Sequence, residues 1–226
     1  MINKHVIYCI PGLGLDHRIF GKLSIPEVEL KFLDYIEPLN DEPIAAYAKR
    51  LSEKIKDNTF SIMGMSLGGI LAIEISRIKK VESLFLISTV KNKSEVPSIF
   101  KYMDLLPTKN KTASKLAIDA SVAFKPYYDK SDTAGNKLFD SMIRSASVEL
   151  LAWGVQQVSN WSYKEELNRP FYHLHGTADL IFPLKNINKA ETVKGATHYM
   201  LYNNAEDISK RIEARIKILA PTLSSY

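Results

Sequence analysis

Residues 61 to 75 read SIMGMSLGGILAIEI, and the fold turns on how this stretch is read. Phe60, Ile62 and Met63 belong to a short apolar run of strand type. Leu67, Ile70, Leu71, Ile75 and Ile78 instead recur at the three- and four-residue steps of a helix with one buried face. The period changes across Gly64-Met65-Ser66-Leu67-Gly68, which predicts strand, sharp turn and helix with Ser66 at the apex. In a G-x-S-x-G turn the serine backbone is strained and its oxygen is pushed out above the sheet, so the close neighbours must be small. Gly64 and Gly68 meet that demand. The helix that begins here aims its free amides, that of Leu67 first, at any negative charge growing beside Ser66. An ordinary strand-to-helix turn can carry the same letters, so the rest of the chain has to supply the remaining chemistry.

Upstream, His5 to Ile10 is an apolar run ending in Pro11-Gly12-Leu13-Gly14, a first strand running into a glycine turn. A dinucleotide fingerprint would need a third glycine where His17 stands, and a phosphate loop would need a Gly-Lys-Ser/Thr that is absent. The turn is therefore read as bringing a backbone amide, that of Leu13, beside Ser66 as a second oxyanion donor. Val28 to Leu33 reads as a second strand, and Ala46, Ala48, Leu51 and Ile55 after Pro43 as a helix. Phe60 to Met63 and Leu84 to Ser88 follow as the third and fourth strands. Strands alternating with helices predict an α/β fold with a mostly parallel, doubly wound sheet.

After Ser88 the alternation stops. Residues 91–166 carry helical patterns, on Leu116 and Ala120, on Leu138, Phe139, Met142 and Ile143, and on Leu151, Val155 and Val158, with no clear strand. This segment reads as a helical lid of three or four short helices interrupted at Pro97, Pro107, Pro126 and Gly135, inserted into a core of residues 1–90 and 167–226. Its Asp104, Asp119, Asp129, Asp132 and Asp140 are expected to be solvated, as is the basic face from Lys91 to Lys115. Phe171 to His175 is the fifth strand, with Gly176-Thr177-Ala178-Asp179 as its exit loop. Glu191 to Lys194 is a short last strand followed by Gly195-Ala196-Thr197-His198, and Ala205 to Leu219 a closing amphipathic helix.

A serine hydroxyl is a poor nucleophile near neutral pH, so it needs a base within reach and the base needs an orienting carboxylate. Ser66, Asp179 and His198 each follow a strand end, in the chain order that a nucleophile elbow of this kind uses. His5 and His17 precede the elbow, and His173 and His175 alternate inside a strand as expected core groups. The latter pair has no third ligand at metal spacing, so no metal site is read. Met65, Phe139, Met142 and Trp153 are candidate lining for an apolar substrate pocket.

With 226 residues and 46% hydrophobic content, the chain can bury one substantial core. The net charge of +5 is dispersed among acids, which speaks against a nucleic-acid partner. One cysteine, Cys9, excludes an internal disulfide and reads as core filler. No stretch approaches the ~20 apolar residues of a membrane span, and the N-terminus lacks a signal-peptide pattern, so a cytoplasmic protein is expected.

Four segments together resemble the α/β-hydrolase fold family over nearly the whole chain: Pro11-Gly12-Leu13-Gly14, Gly64-Met65-Ser66-Leu67-Gly68-Gly69, His175-Gly176-Thr177-Ala178-Asp179 and Gly195-Ala196-Thr197-His198-Tyr199-Met200. The sequence looks most like the small lidded serine esterases and thioesterases of bacteria. It departs from the family pattern in having Pro11 before Gly12 where the family often has histidine, and in starting the sheet at what is usually its third strand. The resemblance implies hydrolysis of a small-molecule ester or thioester by Ser66, Asp179 and His198, with the Leu13 and Leu67 amides as oxyanion hole and no cofactor. Elimination by a lyase using the same triad, and ligand binding without turnover, are the alternatives.

Overall fold

The structure, a computed structural model, describes residues 4–103 and 111–223. Strands β1 (His5–Ile10), β2 (Val28–Phe32), β3 (Ser61–Met65), β4 (Leu84–Ile87), β5 (Phe171–Gly176) and β6 (Glu191–Val193) form one sheet in the order β2-β1-β3-β4-β5-β6. Every pairing is parallel. The chain steps from β1 outward to β2, then returns past β1 to β3 and continues the other way. The loops after β1 and β3 therefore flank the point where strand order reverses, where open parallel sheets place their sites.

The sheet strands show why an apolar run need not alternate with polar residues. Both faces are covered, so consecutive residues enter different cores. Tyr8, Ile10, Ile62, Leu84 and Leu86 face helices α1 (Ile44–Ser52) and α2 (Leu67–Ile78). Ile7, Cys9, Met63, Met65, Phe85 and Ile87 lie in the other core, with Ile208 and Ile212 of the closing helix α8 (Ala205–Leu223). Cys9 is fully buried, and burial pushes its thiol above the ordinary range.

Between β4 and β5 the described residues form helices α3 (Phe100–Met103), α4 (Lys111–Tyr128), α5 (Thr133–Ser145) and α6 (Val148–Asn160). Two expected interruptions prove to be parts of helices. Pro126 sits inside the last turn of α4. Gly135 lies in the first turn of α5, where its amide donates to the Asp132 carboxylate at 2.6 Å as an N-cap bond. Asp104 and Pro107 lie outside the described residues.

Side-chain burial corrects two further expectations. Asp132 is exposed and Asp119 and Asp140 are half-buried, and all three pair with Arg144 or Lys22. Asp129, by contrast, is only 1% exposed. Lys91, expected on a solvated basic face, is buried as well. Among the described residues no helix is long and apolar enough to cross a membrane.

Candidate active site

Ser66 stands between β3 and α2 with φ 55° and ψ −125°, a backbone that L-residues rarely adopt. The surrounding contacts over-determine it. The Ser66 amide continues the sheet by donating to the Ile87 carbonyl at 3.1 Å. The Ser66 carbonyl accepts from the Gly69 amide at 2.9 Å and from the Thr89 hydroxyl at 2.6 Å. A Cβ at Gly64 would stand 2.3 Å from the Gly68 carbonyl oxygen, and one at Gly68 would stand 2.3 Å from that of Ile10. The glycines let the first turn of α2 press onto the end of β1, which leaves the serine half-buried at the sheet edge.

The loop after β1 passes directly beside this turn. An added Cβ at Gly12 would lie 3.4 Å from Ser66 Cβ, and the loop closes through the Leu15 amide donating to the Gly12 carbonyl at 3.0 Å. Gly14, at φ 74°, supplies the left-handed step that completes it. The Tyr35 hydroxyl donates to the Pro11 carbonyl at 2.9 Å and tethers the loop from the α1 side. Leu13 is thus held in a tight turn next to Ser66, and Leu67 opens α2, whose first amides have no intrahelical acceptor. Helix α6 covers both. A Cβ on Gly154 would meet Leu13 Cδ1 at 2.3 Å and Leu67 Cδ2 at 3.0 Å, so only glycine lets α6 approach this closely.

Asp179 and His198 leave the ends of β5 and β6 on the same edge of the sheet. His198 Nδ1 lies 2.8 Å from Asp179 Oδ2, with both side chains almost wholly buried. The other carboxylate oxygen, Oδ1, accepts from the Ile181 and Phe182 amides at 2.9 Å each. Burial alone would push the Asp179 carboxyl up. The facing His198, with its charge and hydrogen bond, and the Phe182 amide outweigh burial and hold the carboxyl below its ordinary value. The aspartate therefore stays ionised and fixes one ring nitrogen of His198. Phe182 packs edge-on against the His198 ring, with centroids 5.6 Å apart.

Three of the remaining histidines have other partners, and His175 lies beside the same aspartate. His17 pairs at the surface with Asp34 at 2.6 Å, and His5 contacts the Ser61 hydroxyl at 3.0 Å. His175 contacts the Phe182 carbonyl through Nε2 at 2.8 Å and stands 3.5 Å from Asp179 Oδ2. His173 Nδ1 meets Lys91 Nζ at 3.0 Å. Burial lowers the basicity of both His173 and His175, and the Lys91 charge lowers His173 further. Lys91 in turn holds Glu95, which is wholly buried. Sequence reasoning missed this polar row behind the aspartate, because Lys91 and His173 stand 82 residues apart. No group of three or more potential metal ligands occurs among the described residues.

The four apolar pocket candidates do not come together. Met65, Phe139 and Met142 share one core. Trp153 lies in the other, with its ring 4.2 Å from that of Tyr47 and its indole N–H donating to the Glu42 carbonyl at 2.7 Å. A cavity of about 590 Å³ is lined by Pro43, Arg77, Gln157, Trp161 and Tyr163. It flanks the far half of α2, since Arg77 is roughly 15 Å along the helix from its first residue.

No family model and no curated protein matches the sequence. Solved structures do match along nearly the whole chain. MenH from S. aureus superposes with a TM-score of 0.76 at 17% identity, covering 96% of this chain and 94% of that one. An esterase from Exiguobacterium antarcticum gives 0.74 at 13% identity, covering 96% and 93%. The enol-lactonase from Burkholderia xenovorans LB400 gives 0.74 at 15% identity, covering 95% and 92%. At these identities the likeness establishes the fold: the chain has the α/β-hydrolase fold.

Proposed function

We propose that the chain is a serine hydrolase that cleaves carboxylic esters or thioesters of a small or medium acyl group through an acyl-enzyme on Ser66. The observation that carries this reading is the buried 2.8 Å contact between His198 and Asp179 at the sheet edge where Ser66 holds its strained turn. In this reading Asp179 keeps the proton of His198 on Nδ1, leaving Nε2 free to take the proton of the Ser66 hydroxyl as its oxygen attacks the acyl carbon. The Leu13 and Leu67 amides hold the oxyanion, where preorganised donors act without further reorganisation. Protonated His198 passes its proton to the departing alkoxide or thiolate. Water, deprotonated by the same nitrogen, then releases the acid and restores the serine.

Residues 1–90 and 167–226 form the catalytic core in this proposal, and residues 91–166 act as a lid over it. The close seat of Gly154 against Leu13 and Leu67 supports that role, because it packs α6 on the side chains of the two residues whose amides are the proposed oxyanion donors. The test is turnover of p-nitrophenyl and coenzyme A esters of graded acyl length by the parent and by Ser66→Ala. The expected result is hydrolysis with a chain-length optimum that Ser66→Ala abolishes. Tight binding of an ester without turnover by the parent, or full turnover by the alanine variant, would refute the proposal.

A further inference from the structure

Lys125 and Asp129 form a second buried polar centre, one turn apart at the end of α4, 2% and 1% exposed. Asp129 Oδ2 accepts from Lys125 Nζ, and from the Ser131 hydroxyl at 2.5 Å. Asp129 Oδ1 accepts from the Thr197 hydroxyl, and from Asn203 Nδ2 at 2.9 Å. Lys125 Nζ completes its donor set on Ser131 Oγ at 2.9 Å and Asn136 Oδ1 at 3.0 Å. It also lies 4.9 Å from the ring centroid of Tyr199 and 5.3 Å from that of Phe139.

These contacts converge on one short segment. Thr197 precedes His198 and Tyr199 follows it, while Asn203 ends the helix α7 (Met200–Asn203) that the segment enters. We propose that Asp129, charged and held in place by Lys125, is a positioning residue that sets the backbone of His198 from the helical insertion. The inference rests on the reading of His198 as the catalytic base. Asp179 fixes the ring at Nδ1 and Phe182 packs against its edge, but both contacts act on the ring and neither holds the Cα end. The clamp at Thr197 and Tyr199 fixes that end, so two anchors define where Nε2 points. Taking both charges out of water is costly, and an apolar pair would fill the same volume without that cost. A carboxylate, unlike an apolar side chain, can hold the Thr197 hydroxyl and the Asn203 amide together.

Because Asp129 at the end of α4 holds Thr197 and Asn203 on either side of His198, displacing α4 would displace the base.

The test uses the 226-residue chain and the variants Thr197→Val, Thr197→Ser and His198→Ala, read by ester turnover, by labelling of Ser66 with a fluorophosphonate, and by thermal melting. Valine keeps the shape of threonine and removes the hydroxyl that Asp129 holds, whereas serine keeps the hydroxyl. The expected result is a fall in kcat of about tenfold or more in Thr197→Val with KM within about twofold, slowed labelling in proportion, and recovery in Thr197→Ser. A Thr197→Val protein that melts like the parent and turns over like it, while His198→Ala is inactive, would overturn this inference alone. Unimpaired turnover and labelling in His198→Ala would overturn the reading of the base, and this inference with it. Should Thr197→Val fold poorly, Asp129→Asn with Lys125→Met removes both charges together, and turnover per folded molecule equal to the parent's would again overturn the inference.

Discussion

Replacing Asp179 by asparagine separates two jobs that one side chain performs. Its Oδ1 accepts the Ile181 and Phe182 amides and so shapes the loop, whereas its Oδ2 faces His198 Nδ1 at 2.8 Å. Asparagine can keep the first job with its carbonyl oxygen. Its NH2 group then points at His198 and asks Nδ1 to accept, which places the ring proton on Nε2 and removes the lone pair that would deprotonate Ser66. The negative charge that steadies the imidazolium is lost as well. The equivalent change in a serine protease costs about 10⁴ in turnover, or about 5.4 kcal/mol of transition-state stabilisation. At least about a hundredfold is expected here, and the loss should fall on kcat more than on KM. The fold should survive, because the two amide bonds remain and the charge-assisted bond that is lost is worth about 1.5–3 kcal/mol. Steady-state hydrolysis of a p-nitrophenyl ester, with circular dichroism and melting on the same preparations, measures both. Turnover within a few-fold of the parent would refute the assignment of Asp179. Glu95, the next carboxylate along the strand ends, is already engaged by Lys91 and the Asn188 amide, and a role for it would require that pair to break.

Two predictions concern the scaffold. Gly68→Ala would drive a Cβ to within 2.4 Å of the Ile10 and Pro11 carbonyl oxygens, backbone atoms that cannot step aside. A loss of about 3 kcal/mol or more, or failure to fold, is expected in denaturant unfolding, and a near-parental midpoint would refute the tight packing of the elbow against β1. Stability should also fall on mild acidification. His173 and His175 are held neutral below their ordinary value of 6.5, chiefly by burial, while the unfolded chain protonates both as pH drops through that value. The stability present above that pH is then lost below it, by up to about 1.4 kcal/mol per pH unit for each histidine. Flat unfolding free energies from about pH 7.5 to about pH 5.5 would refute this.

Much of the architecture was legible in the chain because the signals are local. The change of period at Ser66, the glycines on either side of it and the turn residues after each strand act within a few positions, so strands and elbow emerge within a residue or two of where the structure has them. The order of Ser66, Asp179 and His198 at strand ends was equally readable, since strand direction in a parallel sheet brings every such end to one edge.

Tertiary packing decided the rest. Nothing near Asp129 distinguishes it from Asp132 three residues on. One is buried and holds Thr197 across 68 residues of sequence; the other caps a helix in solvent. Trp153 and Phe139 both sit on the apolar stripes of amphipathic helices, yet they enter opposite cores, because a stripe records that a face is buried and not against what. Lys91 looked like part of a solvated basic run until β5 placed His173 beside it. Periodicity and turn chemistry are properties of neighbouring residues. The partner of a buried charge is chosen by the sheet order and by the way the helices between β4 and β5 fold back, and no single stretch of the chain encodes it.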